Sequence, residues 1–360
     1  MVRVVRLLAP LALAVALCAL RVSPGSARQP GLPRPPGYHI VDRIPMTDGW
    51  WDYATFDPVH RRLFVSRGDG VLKLDTRTGL IDPQVIPGSE GRGVVVLPGG
   101  TEVLEDMAGY SLAVLFDAAD GRVRKMFSLR QAPDAAVWEP VARRVWVIGN
   151  AGEVYLLDPA RREQVHRIDL GERLEFAATD GHGHIFVNGV DSAAVIAVDA
   201  ASLSVIGRWK MKGCKEPTGM AYAAVANIVL SVCTNRMLHV LDATTGRELE
   251  TLPVGEGADA VIYDSATREV FVPSAVEGLL TVLVVNGPRD VQVLERDITQ
   301  IGTRTGAIDP RTGTLYLPTA RFGPINKLGW PQALPRTVEL LVMRPSVPEG
   351  SAAQRHPPGG

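Results

Sequence analysis

Seven residues recur at matching places along this chain: Asp52, Arg92, Asp134, Glu175, Thr218, Asp259 and Arg304. Each stands at the same distance before a turn of Asp-Pro type, in segments whose next residues are mostly Ala, Val, Gly or aromatic. Four carboxylates brought together can hold a divalent cation through oxygen ligands, with Asp52, Asp134, Glu175 and Asp259 as the set. They can equally pair with a cationic organic ligand. Four acids and two arginines give the group a formal charge of −2. A structural network is the competing account, with Arg92 and Arg304 neutralising the acids around them. Which chemistry applies depends on the elements that carry these residues.

Those elements repeat. A short apolar strand, a turn, a second strand, a loop and a third strand ending in Asp recur through the chain. The first copy reads WDYATFDP, RRLFVSR, VLKLDTRTG, and the fifth PTGMAYAA, IVLSVC, LHVLDATTG. The strand-ending acids Asp75, Asp117, Asp158, Asp199 and Asp242 are spaced by 42, 41, 41 and 43 residues. That is the length of one four-stranded propeller blade. The second copy diverges most, with GRGVVVLP followed by LAVLFDAADG. The seventh lacks an outer strand, and YHIVDRIPM at 38–46 has the pattern of the missing piece. The predicted fold is therefore all-β: a seven-bladed β-propeller closed by an N-terminal strand that completes the last blade and removes open sheet edges.

In a propeller the first strand of each blade lines the central channel, so the seven matched residues form a ring at one mouth. Trp51 and the loops between second and third strands, with Arg67, Asn150, Asn188, Asn235 and Arg321, are expected at its rim. The longest such loop, Pro318 to Arg336, also holds Phe322, Lys327 and Trp330; it is either a lid or a surface decoration. His182 and His184 in GHGH fall in a tight turn on the opposite face, where solvated turn histidines explain them better than a metal does. His60 occupies the equivalent turn of the first copy and has no evident partner in the sequence.

Residues 1–27 read as a secretory signal peptide: Arg3 and Arg6, an apolar run from Leu7 to Leu20, then Ser23, Gly25, Ser26 and Ala27. An uncleaved anchor is the alternative, but so short a run spans a bilayer poorly. Residues 28–37 read as a linker, 38–344 as the propeller and 345–360 as a disordered Pro/Gly-rich tail. Cleavage removes three arginines and no acid, taking the net charge from −1 to −4. Such a balance disfavours nucleic-acid binding through bulk positive charge. Only Cys214 and Cys233 then remain, and two cysteines in an exported protein more often pair than stay free. Motifs for haem attachment, G-x-S-x-G nucleophiles and phosphate loops are absent from the sequence.

The recurring LFVSR, VWVIG, IFVNG and VFVPS segments, each followed by V-x-x-x-D, resemble the YVTN-repeat propellers. GWWDYATFDP, CKEPTGMAY and GADAVIYD together resemble the bacterial, exported YncE-like branch. The resemblance runs from about residue 38 to 344 and implies fold more strongly than chemistry. With cysteines at these two places, it implies a Cys214–Cys233 disulfide. Three functions follow as expectations for a periplasmic or secreted monomer that leaves the membrane after signal cleavage. The first is a non-catalytic binder of a small molecule, ion or protein partner at the channel mouth. The second is a hydrolase of lactonase or gluconolactonase type, using the ring acids and a divalent metal. The third is nucleic-acid binding, as in part of the YncE-like family, against which the net charge and the acidic ring both speak.

Overall fold

The computed structural model describes residues 37–325 and 331–346. The expected signal peptide, almost all of the linker, and the tail from residue 347 lie outside the described residues. Within them the chain forms seven antiparallel four-stranded sheets. Blade 1 comprises Trp51–Asp57, Arg62–Arg67, Gly70–Asp75 and Ile81–Pro87, paired in sequence order. The next five blades repeat this order. Blade 7 instead places Tyr38–Pro45 outside Glu339–Pro345, so the predicted closure by the N-terminal strand is what the chain does. The last strand reaches Pro345, so that residue and Ser346, bonded to the Gly37 carbonyl, belong to the blade rather than to a tail.

The periodic acids explain why the strands stop where they do. Asp75, Asp117 and Asp242 end third strands and accept N–H bonds of 2.9–3.0 Å from the residue two positions on. Asp57, Asp264 and Asp309 do the same after first strands. Carboxylates that satisfy turn donors in this way let each strand reverse within a few residues.

Second and third strands are buried on both faces, as in Arg144–Gly149 and Glu153–Asp158, while fourth strands such as Glu163–Asp169 face solvent. The apolar core is divided into seven clusters, one at each boundary between neighbouring blades. The cluster joining blade 7 to blade 1 packs Tyr316, Leu340 and Val342 against Leu63, Val65 and Leu72. Truncating a fully buried Leu in such a cluster to Ala costs about 2–5 kcal/mol. Because the ring closes, no cluster is left half-exposed at an end.

Candidate functional site

A shared backbone irregularity builds the mouth of the channel. In blades 1 to 5 the pairing of first and second strands slips just after its first residue, at Trp51, Gly91, Pro133, Leu174 and Pro217. Asp52, Arg92, Asp134, Glu175 and Thr218 all fall in these bulges, which re-aim side chains out of the ladder. Asp259 and Arg304 precede the shorter first strands Ile262–Asp264 and Ala307–Asp309.

The two arginines bind the ring together. Arg92 Nη1 lies 3.1 Å from Asp52 Oδ2, and its Nε lies 3.9 Å from Asp134. The Arg92 guanidinium also sits 4.8 Å from the centre of the Trp50 ring. Arg304 pairs with Asp259 at 3.1 Å and donates to the Trp51 carbonyl. Thr218 differs from the others, because its hydroxyl is spent on the Ala258 carbonyl at 2.8 Å.

Burial dominates the titration of the acids. It pushes Asp52 up to about 7, with Asp259 and Asp134 adding to the rise and Arg304 and Arg92 opposing it. Glu175 is driven well above the usual carboxylate range by burial, then by the charges of Asp134, Asp259 and Asp52. Asp134 is raised as well, chiefly by burial with Arg92 opposing, and the Asp134 charge adds to the rise at Glu175. These two acids line a cavity of about 430 Å³ between blades 3, 4 and 5, together with Asn150, Arg173, Glu216 and Thr218.

The expected rim divides. Asn150 and Arg321 are exposed, and Asn150 borders the cavity. Arg67 and Asn188 are fully buried instead and are not available at a rim. Arg67 donates to the carbonyls of Thr47 and Asp48, and Asn188 links the Thr218 carbonyl to Ser231. Trp51 is buried against Phe322, and half-buried Asn235 holds the Gly213–Lys215 backbone. The long loop is partly a two-stranded hairpin, Phe322–Ile325 with Pro331–Ala333, against the boundary of blades 7 and 1; Lys327 and Trp330 lie outside the described residues. His60 does have a partner, with Nδ1 at 2.9 Å from Asp57, and His184 binds Asp180 at 2.6 Å.

Two features escaped the sequence reading. The divergent blade 2 contains a second strand, Glu102–Met107, carrying the fully buried Glu105 and Asp106. Ser66 donates to Glu105 at 2.7 Å and the Gly93 N–H donates to Asp106 at 3.0 Å. Glu105 Oε2 and Asp106 Oδ2 have no hydrogen-bond partner among the described residues. Burial drives both acids well above the usual range. The glycines opposite make room for them: a Cβ on Gly91 would lie 2.0 Å from Glu105 Oε1, and one on Gly93 2.4 Å from Asp106 Oδ2. An adjacent Glu-Asp pair facing a Gly-x-Gly segment was the available signal.

The second feature is a plug. Tyr53 of blade 1 and Phe176 of blade 4 meet across the channel with ring centres 4.5 Å apart. The Tyr53 hydroxyl reaches Glu175 at 3.5 Å and donates to the Asp259 carbonyl at 3.4 Å. On the other side the two rings line a mostly apolar cavity of about 400 Å³ with Phe56, Ile262, Tyr263 and Ile308. Charged mouth and apolar channel are thus separate environments.

With this geometry, the chain falls in the class of seven-bladed β-propellers with WD40-like structural neighbours. The RRP9 WD40-repeat structure superposes with a TM-score of 0.73 at 12% identity, over 86% of this chain and 99% of that one. A chain of the mitotic checkpoint complex gives 0.69 at 13% identity, over 93% and 100%. Hydrazine synthase of Kuenenia stuttgartiensis gives 0.64 at 16% identity, over 76% and 92%. At such identities the likeness concerns the fold alone. No protein-family model and no curated relative matches the chain.

Proposed function

We propose that this propeller is a binding scaffold that takes a cationic group, from a small molecule, a divalent ion or a basic protein surface, at the ring-face mouth. The observation that carries this reading is the Asp134–Glu175 pair on the wall of the cavity between blades 3, 4 and 5. Burial raises both carboxyls there and Arg92 reaches only Asp134, at 3.9 Å, so an incoming cation supplies charge that favours their ionised forms. Binding therefore strengthens as pH rises. The N-terminal segment and the Cys214–Cys233 disulfide support an exported protein working in an oxidising compartment. The YncE-like resemblance of the repeats agrees with that location.

A thermal-shift series with Ca²⁺, Mn²⁺ and a polyamine at pH 6 and pH 8 tests the proposal. The expected result is a shift that grows at pH 8 and vanishes in the Asp134→Asn/Glu175→Gln double variant, whose own melting temperature does not fall. A shift that survives the double variant sinks the reading. A large fall in the variant's own stability would instead make the ring a structural network.

One observation favours a second reading. Two carboxyls on one cavity wall, Glu175 raised further than is usual for a carboxylate and Asp134 steadied by Arg92, are also a pairing from which a general acid and base can be drawn, as a lactone hydrolase needs. Turnover of a sugar lactone that is abolished by Glu175→Gln is its test.

A further inference from the structure

Away from the mouth residues, blade 5 brings together two sulfurs and an imidazole. Cys233 ends the strand Ile228–Cys233, and His239 lies on the neighbouring strand Met237–Asp242. His239 pairs directly with Ser231, so it and Cys233 are diagonal neighbours on one face of the sheet. Cys214 approaches from the preceding segment and is bonded to Cys233, with Cα atoms 5.6 Å apart. The two Sγ atoms and a ring nitrogen of His239 lie within 4.8 Å of one another.

His239 is fully buried and aimed into this group. Its Nδ1 is 2.6 Å from Glu248 Oε1, while its Nε2 is buried with no hydrogen-bond partner. A buried imidazole nitrogen left unpaired costs free energy that nothing in the disulfide state repays. A carboxylate holding the far nitrogen of a histidine is the outer-shell arrangement that orients metal-ligating imidazoles.

We propose that reduction of the Cys214–Cys233 bond converts this corner of blade 5 into a site for a thiophilic cation of the zinc or cuprous class. Cys214 Sγ, Cys233 Sγ and His239 Nε2 are the ligands, and Glu248 is the positioning residue. A dithiol supplies two electrons and two protons to the S–S bond and becomes a disulfide itself. The cation then displaces the two thiol protons and forms two metal–sulfur bonds. Bonds of about 2.3 Å to sulfur put the two sulfurs about 3.8 Å apart, so once the S–S bond is broken each sulfur draws back by about 1 Å, with the imidazole bond at about 2.0–2.1 Å. Thiolate and imidazole together select such cations over calcium or magnesium.

The Cys214 segment stays in place without the disulfide. Asn235 Oδ1 accepts the Lys215 N–H at 2.9 Å, and Asn235 Nδ2 donates to the Gly213 carbonyl at 2.9 Å. The Thr234 hydroxyl donates to the Lys215 carbonyl at 3.0 Å. Residues 212, 213, 215 and 216 around Cys214 are exposed, so a reductant and a cation have a way in. None of the three ligands is a ring residue, although Glu216 and Thr234 beside them border the mouth cavity, and metal uptake on reduction is read separately from the pH-dependent thermal shift that tests the mouth.

The test titrates the whole protein with Co²⁺ and Zn²⁺ before and after reduction by a phosphine, a weaker competitor for these two ions than a dithiol, removed by gel filtration before the titration. Reduced wild type is expected to bind one equivalent, with a cobalt–thiolate charge-transfer band, while the disulfide form binds none here. Cys214→Ser and His239→Gln should abolish the band or weaken binding at least tenfold. Glu248→Gln, at a partly exposed position, should weaken it by about 10–100-fold. Unchanged affinity in both His239→Gln and Glu248→Gln would overturn the proposal by reducing the site to two thiols. So would reduced wild type that takes up no metal, or that loses its β-sheet circular dichroism before metal is added.

Discussion

Acids at the channel mouth and acids in the outer turns are the same residues in opposite situations. Asp75, Asp117, Asp199 and Asp242 are held below the ordinary Asp range. The cause for Asp75 is foremost its bond to Arg77, which takes it to about 2, and for Asp117 and Asp242 it is backbone N–H donation. Asp52, Asp134, Glu175, Asp259, Glu105 and Asp106 are all raised, in every case chiefly by burial. Donors outnumber the desolvation cost in a solvated turn. In the mouth, four acids share two arginines, and burial favours the protonated form of the remainder. The comparison separates acids that build the fold from acids that are available for something else.

The two groups act on stability with opposite signs. Asp75, Asp117, Asp199 and Asp242 have depressed folded pKa values, so their contribution is present above the unfolded value and is lost as pH falls through the folded one. Mouth acids have raised folded values, so their contribution is complete below the unfolded value and is lost as pH rises toward about 7 for Asp52.

The largest expected effect comes from removing a cation at the mouth. Arg304→Met leaves Asp259 and Asp52 without their guanidinium and should cost about 3–5 kcal/mol in urea melts at pH 8. At pH 5 the loss should be clearly smaller, because the acids can take up protons. Equal losses at both pH values would mean that Arg304 acts through packing.

Next in size is the pH profile of the unmodified protein. Its stability should peak near about pH 4–5, on the acid side of the usual optimum, and decline by about 1.4 kcal/mol per pH unit for each proton retained. A plateau through pH 8 in chemical denaturation would show that the mouth acids ionise normally. The Glu105→Gln/Asp106→Asn variant sharpens the same point. It should raise stability at pH 8 by about 1–2 kcal/mol and leave pH 5 nearly unchanged, since the amides lose no ionisation-dependent term.

The smallest effect belongs to the turns. Asp242→Ala removes bonds to the N–H groups of Thr244 and Thr245 and should cost no more than about 1 kcal/mol at pH 7. The cost should shrink at pH values below the ordinary Asp range, where the wild-type carboxylate is itself becoming protonated. A penalty matching that of Arg304→Met would erase the contrast between the two regions.

Much of this was legible without coordinates, for a physical reason. A blade is a local unit whose strands alternate and whose turns need acids or glycines at fixed offsets, so Asp75 through Asp242 mark the period directly in the chain. Fixed period also sets position around the axis, which is why Asp52, Arg92, Asp134, Glu175, Asp259 and Arg304 could be gathered before their contacts were known. Sequence determined the number of blades, the closing strand at 38–46 and which residue of each first strand holds the equivalent position in its blade. Tertiary structure alone decided what each residue does there. Contacts across the channel or between blades join residues far apart in the chain, and their strength depends on burial, which no spacing encodes. So Arg67 and Asn188 turned inward, Tyr53 met Phe176 from the opposite blade, and Glu105 and Asp106 were hidden in the one repeat whose pattern had drifted. Periodicity carries information along the chain, whereas desolvation is set by everything packed around an atom.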